Sequence, residues 1–442
     1  MEEYRRIADR VEAAVRDGRL SPGDRLPPQR VFARRHGIAN STAIRVYGEL
    51  ARRGLVVGEV GRGTFVRAAP PLPGAALAEA TGAAPVDLQL NYPGFKGQSE
   101  LMARALTALG RPDVLAEAVS RPAAATGTPE ARDAAAAVLA RPGWAPDPAS
   151  VLFAGNGRQA IAAALSALVP PGGRLGVEAL TYPLVKVVAE RLGIRLVPLA
   201  LDAEGVRPEA LAAAHRAAPL AAVYLQPTLH NPLSSTTGEG RRAALAELLR
   251  SLDLTAVEDT TWAFLVPDAP APLAAHAPER VVLVDSLSKR LAPGLTVGYL
   301  VVPGPLRTAV ADALRSGAWT AGGLALAAAT RWAGDGTVAE AVAAKRADAE
   351  ARHALVLRRL AGHTLRTSPY AYYCWWELPA PWRAETFTAA AARAGVAVTP
   401  GSAFAVGAGT APDAIRAGLA SPPHAVLDDA LARLAALAAE PV

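Results

Sequence analysis

Residues 281–302 read VVLVDSLSKRLAPGLTVGYLVV, and this stretch decides the fold class. Val281–Val284 is an apolar β run; Asp285-Ser286-Leu287-Ser288 follows and leads to Lys289. The lysine therefore stands at the carboxyl end of a strand, the end at which ligands bind in open α/β sheets. A lysine there, with two hydroxyls nearby, suits a Schiff base to an aldehyde cofactor. On the segment alone, an ordinary surface lysine is the reading to prefer.

Outward from it, β runs and helices alternate. The pattern predicts strands at 151–153, 174–177, 196–199, 221–225, 255–258, 281–285 and 298–302, with helices over 157–168, 183–192 and 240–250. Such alternation predicts an α/β domain with a largely parallel sheet. Helices over 339–360 and 384–394 and strands at 372–377 and 414–419 predict a smaller α/β subdomain, about 306–442. Trp375 and Trp376 alternate on one of these strands, which predicts one in the core and one exposed or at an interface.

Only four of the 46 basic residues are lysines: Lys96, Lys186, Lys289 and Lys345. Arginine stays charged, so chemistry that needs a deprotonatable amine has four candidates. Lys345 lies in the charged helical stretch AAKRADAEARHALVLRRL and reads as solvated. Lys96 sits in a Gly-flanked loop, and Lys186 follows Tyr182-Pro183 on a helix face that reads as exposed.

The N-terminal end differs in charge. The net charge of the 442 residues is +6. Residues 1–67 hold fourteen Arg, no Lys and eight acidic residues, so all the excess lies there and the remainder is neutral. That asymmetry points to a nucleic-acid-binding end. Helical spacing over 3–16 closes at Gly18. Pro22-Gly23-Asp24 forms a turn, and Pro27 and Pro28 suit the first positions of a second helix, which Gly37 ends. Asn40 or Ser41 suits the cap of a third helix running to Gly54. The runs 55–57 and 64–66 predict a hairpin, completing a winged helix-turn-helix at 1–67. Residues 68–86, rich in Ala, Pro and Gly, predict a semi-stiff linker to a body over 87–442.

Composition excludes several classes. At 51% hydrophobic and 19% charged residues the chain can bury a sizeable core and is not disordered throughout. Cys374 is the sole cysteine, so no disulfide framework or Cys-based zinc site is expected. No uninterrupted apolar run of membrane-spanning length occurs, and Met1-Glu2-Glu3-Tyr4 does not open a signal peptide. A cytoplasmic location is the expectation.

Residues 26–66, LPPQRVFARRHGIANSTAIRVYGELARRGLVVGEVGRGTFV, resemble the GntR-type winged helix. The resemblance implies that Arg30, Asn40, Ser41, Thr42 and Arg45 face DNA, with Arg62 at the wing reaching a phosphate or the minor groove. Arg52 and Arg53 are expected at phosphates or in solvent. The family usually has Arg at Asn40 and Ser at Pro28. Asn40 thus either caps its helix or reads adenine.

Segments 281–302, 225–232 (LQPTLHNP), 257–265 (VEDTTWAFL) and 400–418 (PGSAFAVGAGTAPDAIRAG) resemble fold-type-I aminotransferases. With the winged helix, the whole chain is similar to the MocR-type regulators. That resemblance implies a pyridoxal phosphate site in a homodimer. Lys289 would carry the Schiff base, and Asp259 would pair with the pyridine nitrogen. Asn231 would bond the ring oxygen, Tyr182 would stack on the ring, and Asn156-Gly157-Arg158 would bind the phosphate. Ser286 and Ser288 would add hydroxyl donors. Arg416 would clamp a substrate carboxylate. His230 receives no role.

Three departures cluster on phosphate and ring. Thr296 stands where the family has a phosphate-binding Arg. Pro122–Thr126, before Gly127, lacks the family's Tyr. Thr261 or Trp262 replaces another Tyr near the ring oxygen. Arg158, where the family has Gln, and Arg290 are the candidates to restore the lost charge. The function that follows is a DNA-binding transcription regulator sensing an amino acid or amine. The alternatives are a working aminotransferase with an accessory DNA-binding domain, and a regulator whose body has lost the cofactor and only dimerises.

Overall fold

The computed structural model describes residues 3–440 except 18, 21–23, 54, 60–62, 67–84, 121–123, 295 and 408–410. Arg62, Gly18, Pro22-Gly23, Pro122 and nearly all of the expected linker therefore lie outside the described residues.

Three helices build the head: Glu3–Arg16, Gln29–His36 and Asn40–Arg52. Ile7, Val11, Phe32, Val46 and Leu50 recur at helical spacing and meet in one core. Gly37, at φ +64°, ends the second helix in the left-handed region, where a side chain would be strained. Strands Val56–Glu59 and Gly63–Val66 pair antiparallel as the wing. A short strand, Arg25–Leu26, joins them and was not expected from sequence.

Two expectations for the head change. Ala39 occupies the cap position of the third helix, no side chain caps it, and Asn40 is its first helical residue. The capping role is thus not what Asn40 performs. Arg53 is not a free phosphate contact: it pairs with Asp9 at 2.6 Å, Glu12 at 2.7 Å and Glu49 at 2.8 Å. These carboxylates tie the first and third helices together.

The body is organised on a seven-stranded sheet. Its order is Val151–Ala154, Gly298–Val301, Val281–Ser286, Thr255–Asp259, Ala222–Leu225, Arg174–Glu178 and Arg195–Leu199. All pairs are parallel except the two made by Gly298–Val301, which runs antiparallel to both neighbours. Asp259 is in register with Val284, so the carboxyl ends of the acidic and lysine strands open on one edge. Buried Val, Ala and Leu side chains fill both faces.

A second core surrounds a four-stranded antiparallel sheet ordered Thr364–Arg366, Tyr373–Glu377, Ala414–Gly418 and Thr399–Pro400. Helices Arg307–Ser316 and Gly323–Gly334 pack instead on the large domain, through Val310, Leu314, Leu326 and Trp332. The second core therefore starts later than residue 306, along the helix Thr337–Arg359. Val86–Asp87 is a strand parallel to Val396–Ala397, so the chain after the linker docks on this smaller core. Trp375 and Trp376 are both buried, because cores lie on the two faces of their strand. Among the described residues no helix is long and apolar enough to cross a membrane.

Candidate functional site

The site lies at the carboxyl edge of the large sheet, where the second core closes over it. Lys289 sits on the short helix Leu287–Arg290, which follows its strand without a break. Its Nζ donates to the Asn91 carbonyl at 2.6 Å and lies 4.4 Å from the Tyr92 ring centroid and 5.2 Å from that of Trp262. Burial, and then the positive charges of Arg158, Arg416 and Lys345, lower its pKa to about 7. A substantial fraction of such an amine is unprotonated at neutral pH.

Asp259 ends the adjacent strand. Its Oδ2 accepts from the Tyr224 hydroxyl at 2.6 Å and the Gln226 amide at 3.1 Å, and its Oδ1 accepts from the Thr261 N–H at 2.9 Å. Three donors converge on this one buried carboxyl. Burial first, and then the Asp259 charge, raise the Tyr224 pKa well above its usual value, so it remains a donor.

Asn231 is buried beside Gln226, whose Oε1 accepts its N–H at 3.3 Å. Behind it, His230 Nε2 lies 3.4 Å from Glu178 Oε2, and His230 Nδ1 accepts the Leu233 N–H. His230 thus supports the loop that presents Asn231. Tyr182 starts the helix Pro183–Arg191, and burial raises its pKa. Arg416, from the second core, donates to Asn231 Oδ1 at 3.4 Å, Thr399 Oγ1 at 3.4 Å and the Gln89 carbonyl. Its buried Nε has no partner. Burial lowers its pKa to about 10, still far above neutrality.

The other end of the site is a cradle at the start of the helix Gly157–Leu168. Asn156 caps this helix by accepting the Gln159 N–H at 2.9 Å. The first N–H groups of a helix have no intrahelical partner and favour an anion. A Cβ on Gly157 would lie 3.0 Å from Ser286 Oγ and 3.9 Å from Thr261 Oγ1, so the glycine leaves space bordered by two hydroxyls. Ser286 Oγ accepts the Ser288 N–H, and Ser288 Oγ lies 2.9 Å from Thr296 Oγ1. The residues present fit a phosphorylated, ring-bearing aldehyde: a lysine, a carboxylate and an anion cradle share one edge.

Several expectations are corrected here. Arg290 is no spare cation; its guanidinium pairs with buried Asp285 at 2.6 Å and stacks over Phe264. Lys345 is fully buried, not solvated. Lys186 is half-buried and donates to the carbonyls of Ala403 and Ala405. Arg158 is exposed and remains near Lys289 and Tyr182 as a charge. Trp262 packs against Tyr373, while Thr261 faces the cradle. Sequence reasoning missed Asn91, Tyr92, Tyr224, Gln226 and Asp285. The Asn91-Tyr92-Pro93-Gly94 run after an Ala/Pro-rich stretch was a usable signal; Tyr224 inside an apolar strand was not.

In the head, Arg30, Asn40, Ser41 and Arg45 are exposed and Thr42 is half-buried. Arg30 and Asn40 line one cleft with Arg25 and Thr64, between the helices and the wing. The Arg45 guanidinium rests 4.2 Å from the Tyr4 ring centroid.

The model of the bacterial regulatory proteins of the gntR family matches residues 3–66, and that of aminotransferase class I and II matches residues 86–434. The chain belongs to the MocR-type regulators. This MocR-type chain is 30% identical over 420 residues to the HTH-type transcriptional regulator YdeF of Bacillus subtilis strain 168, covering 95% of this chain and 90% of YdeF. It is 26% identical over 312 residues to the pyridoxine biosynthesis regulator PdxR of Corynebacterium glutamicum, covering 68% and 66% of the two chains. The solved structure of LysN, an α-aminoadipate aminotransferase from Thermus thermophilus, superposes with a TM-score of 0.73 at 20% identity, covering 82% of this chain and 94% of LysN. That likeness concerns the fold.

Proposed function

We propose that this MocR-type regulator binds duplex DNA through its winged helix and pyridoxal phosphate through its body, and that it senses an amino acid or amine at Lys289. One observation carries the reading: Lys289, Asp259 and the Gly157–Ser286 cradle share a sheet edge in a chain that also bears a winged helix. Bound pyridoxal phosphate supplies an aldehyde and an electron-withdrawing ring.

The chain's own residues do the rest. Asp259, held by three donors, presents a negative charge to a ring nitrogen and keeps a proton there. Asn231 offers its amide to a ring oxygen, and Tyr182 and Trp262 wall the ring. Gly157 and Arg158 N–H groups, with Ser286, Ser288 and Arg158, hold the phosphate. Arg416 Nε, buried and unpartnered, receives an effector carboxylate. In the head, Arg30, Asn40, Ser41, Thr42, Arg45 and Arg62 contact DNA, with Arg reading guanine and Asn40 free to read adenine.

The regulator works as a homodimer in the cytoplasm, with its DNA. Leu106, Leu115, Val119 and Leu324 leave apolar side chains exposed on the packed helices Gln98–Leu109, Pro112–Val119 and Gly323–Gly334, which a second copy would cover. Because Lys289, Asp259 and Arg416 all face one site, transamination is the second reading.

Purified protein should show the visible absorbance of lysine-bound pyridoxal phosphate, abolished in Lys289→Ala. Absence of that band after adding cofactor overturns the sensor reading. Duplex binding should weaken steeply with salt, and amine turnover with a keto acid at ordinary enzyme rates would favour the aminotransferase.

A further inference from the structure

Lys345 is a buried charge that the site chemistry above does not use. Ala341, Lys345, Ala349, Arg352 and Val356 are all buried, at intervals of three and four residues, so the lysine lies on the inward stripe of the helix Thr337–Arg359. Its Nζ donates to the carbonyl of Lys289 at 2.9 Å and to that of Leu291 at 2.5 Å. These carbonyls close the short turn that carries Lys289, where a cation complements unpaired acceptors.

No carboxylate comes within ion-pair distance of Lys345 among the described residues. Asp348, on the same helix, is engaged by Arg352 at 2.7 Å and His424 at 2.7 Å. From the second core, Tyr372 donates to the Lys345 carbonyl, not to its amine. Burying an ammonium without an ion-pair partner is costly. The fold keeps this one against the backbone of the lysine that reacts.

We infer that Lys345 is a positioning residue for Lys289: its amine, held on the Lys289 and Leu291 carbonyls, pins the turn that bears Lys289 and sets a positive charge beside it. A charge there disfavours a second one on Lys289, and only the unprotonated Lys289 nitrogen has a lone pair. That pair forms the C–N bond to an aldehyde carbon, and the aldehyde oxygen leaves as water with two protons from the nitrogen.

The groups facing Lys289 are Arg158, Arg416 and Lys345, which oppose its protonation, and the Tyr92 and Trp262 rings and the Asn91 carbonyl, which favour it. Lys345 itself is lowered to about 7 by burial, with Asp348 acting in the opposite direction.

The inference rests on the cofactor reading of Lys289 and is tested on the full chain. Absorbance of lysine-bound pyridoxal phosphate is followed against pH in wild type, Lys345→Met and Lys345→Arg. The Met variant removes the charge, so Lys289 should hold its proton to higher pH and the loading midpoint should rise by about one pH unit. The Arg variant keeps a positive charge at every pH, so its midpoint should lie at or below that of wild type. An unmoved midpoint in Lys345→Met, whatever its stability, overturns the inference.

Lysine side-chain NMR of the cofactor-free wild type gives a second readout, tractable with four lysines. Two should titrate near neutrality, and Lys289 should titrate at higher pH in Lys345→Met; a Lys289 titration unmoved by that change would also overturn the inference. A wild type without the absorbance band would instead sink the cofactor reading, leaving the NMR result to judge Lys345.

Discussion

The two ends of the site are built by opposite means. At the ring end buried side chains are fixed by hydrogen bonds: Asp259 accepts three, and Asn231 is held from both sides. At the phosphate end the donors are backbone N–H groups, hydroxyls and one exposed arginine. Electrostatics acts strongly where water is excluded and weakly where it is not. The ring end can therefore orient a ligand by fixed charge, whereas the phosphate end relies on shape and on the helix terminus. The substitution of Thr296 for the expected arginine falls at the end that water already screens.

The largest test of this contrast is Arg290→Gln. If Arg290 is structural, the variant leaves Asp285 buried without its ion pair and should lose about 3–5 kcal/mol of stability in urea unfolding. A stable variant with weakened cofactor binding would return Arg290 to the phosphate.

Asp259→Asn keeps shape and removes charge at the ring end. Charge-assisted hydrogen bonds contribute about 1.5–3 kcal/mol each, so cofactor affinity should fall about 10- to 100-fold by absorbance titration. A change of less than threefold would mean that the ring end is not electrostatically tuned.

Arg158→Gln should have the smallest effect. Exposed ion pairs are worth at most about 1 kcal/mol, so affinity should fall no more than about fivefold, and less at high salt. A loss comparable to that of Asp259→Asn would erase the difference between the two ends.

Much of this was legible beforehand, for identifiable reasons. Short runs of three to five residues bounded by turns marked the sheet strands, and the Lys289 strand end followed from 281–289 alone. Lys345 was misread because Arg346, Asp348 and Glu350 on the other faces hide a stripe of alanines that says "inward" only at spacings of four. Arg290 was misread because its partner Asp285, five residues earlier, comes within reach only when strand gives way to helix. The expected cap at Asn40 failed by one residue, a scale on which pattern does not resolve helix starts.

By itself the sequence determined the architecture: a basic winged helix, a neutral α/β body, and a lysine at a strand end. These are local matters of periodicity, composition and short motifs. Only the tertiary structure decided which charges are paired and which amines are buried. Lys289 meets a carbonyl 198 residues away, and Arg416 one 327 residues away. Protonation depends on burial and on the charges that converge in space, and chain order records neither.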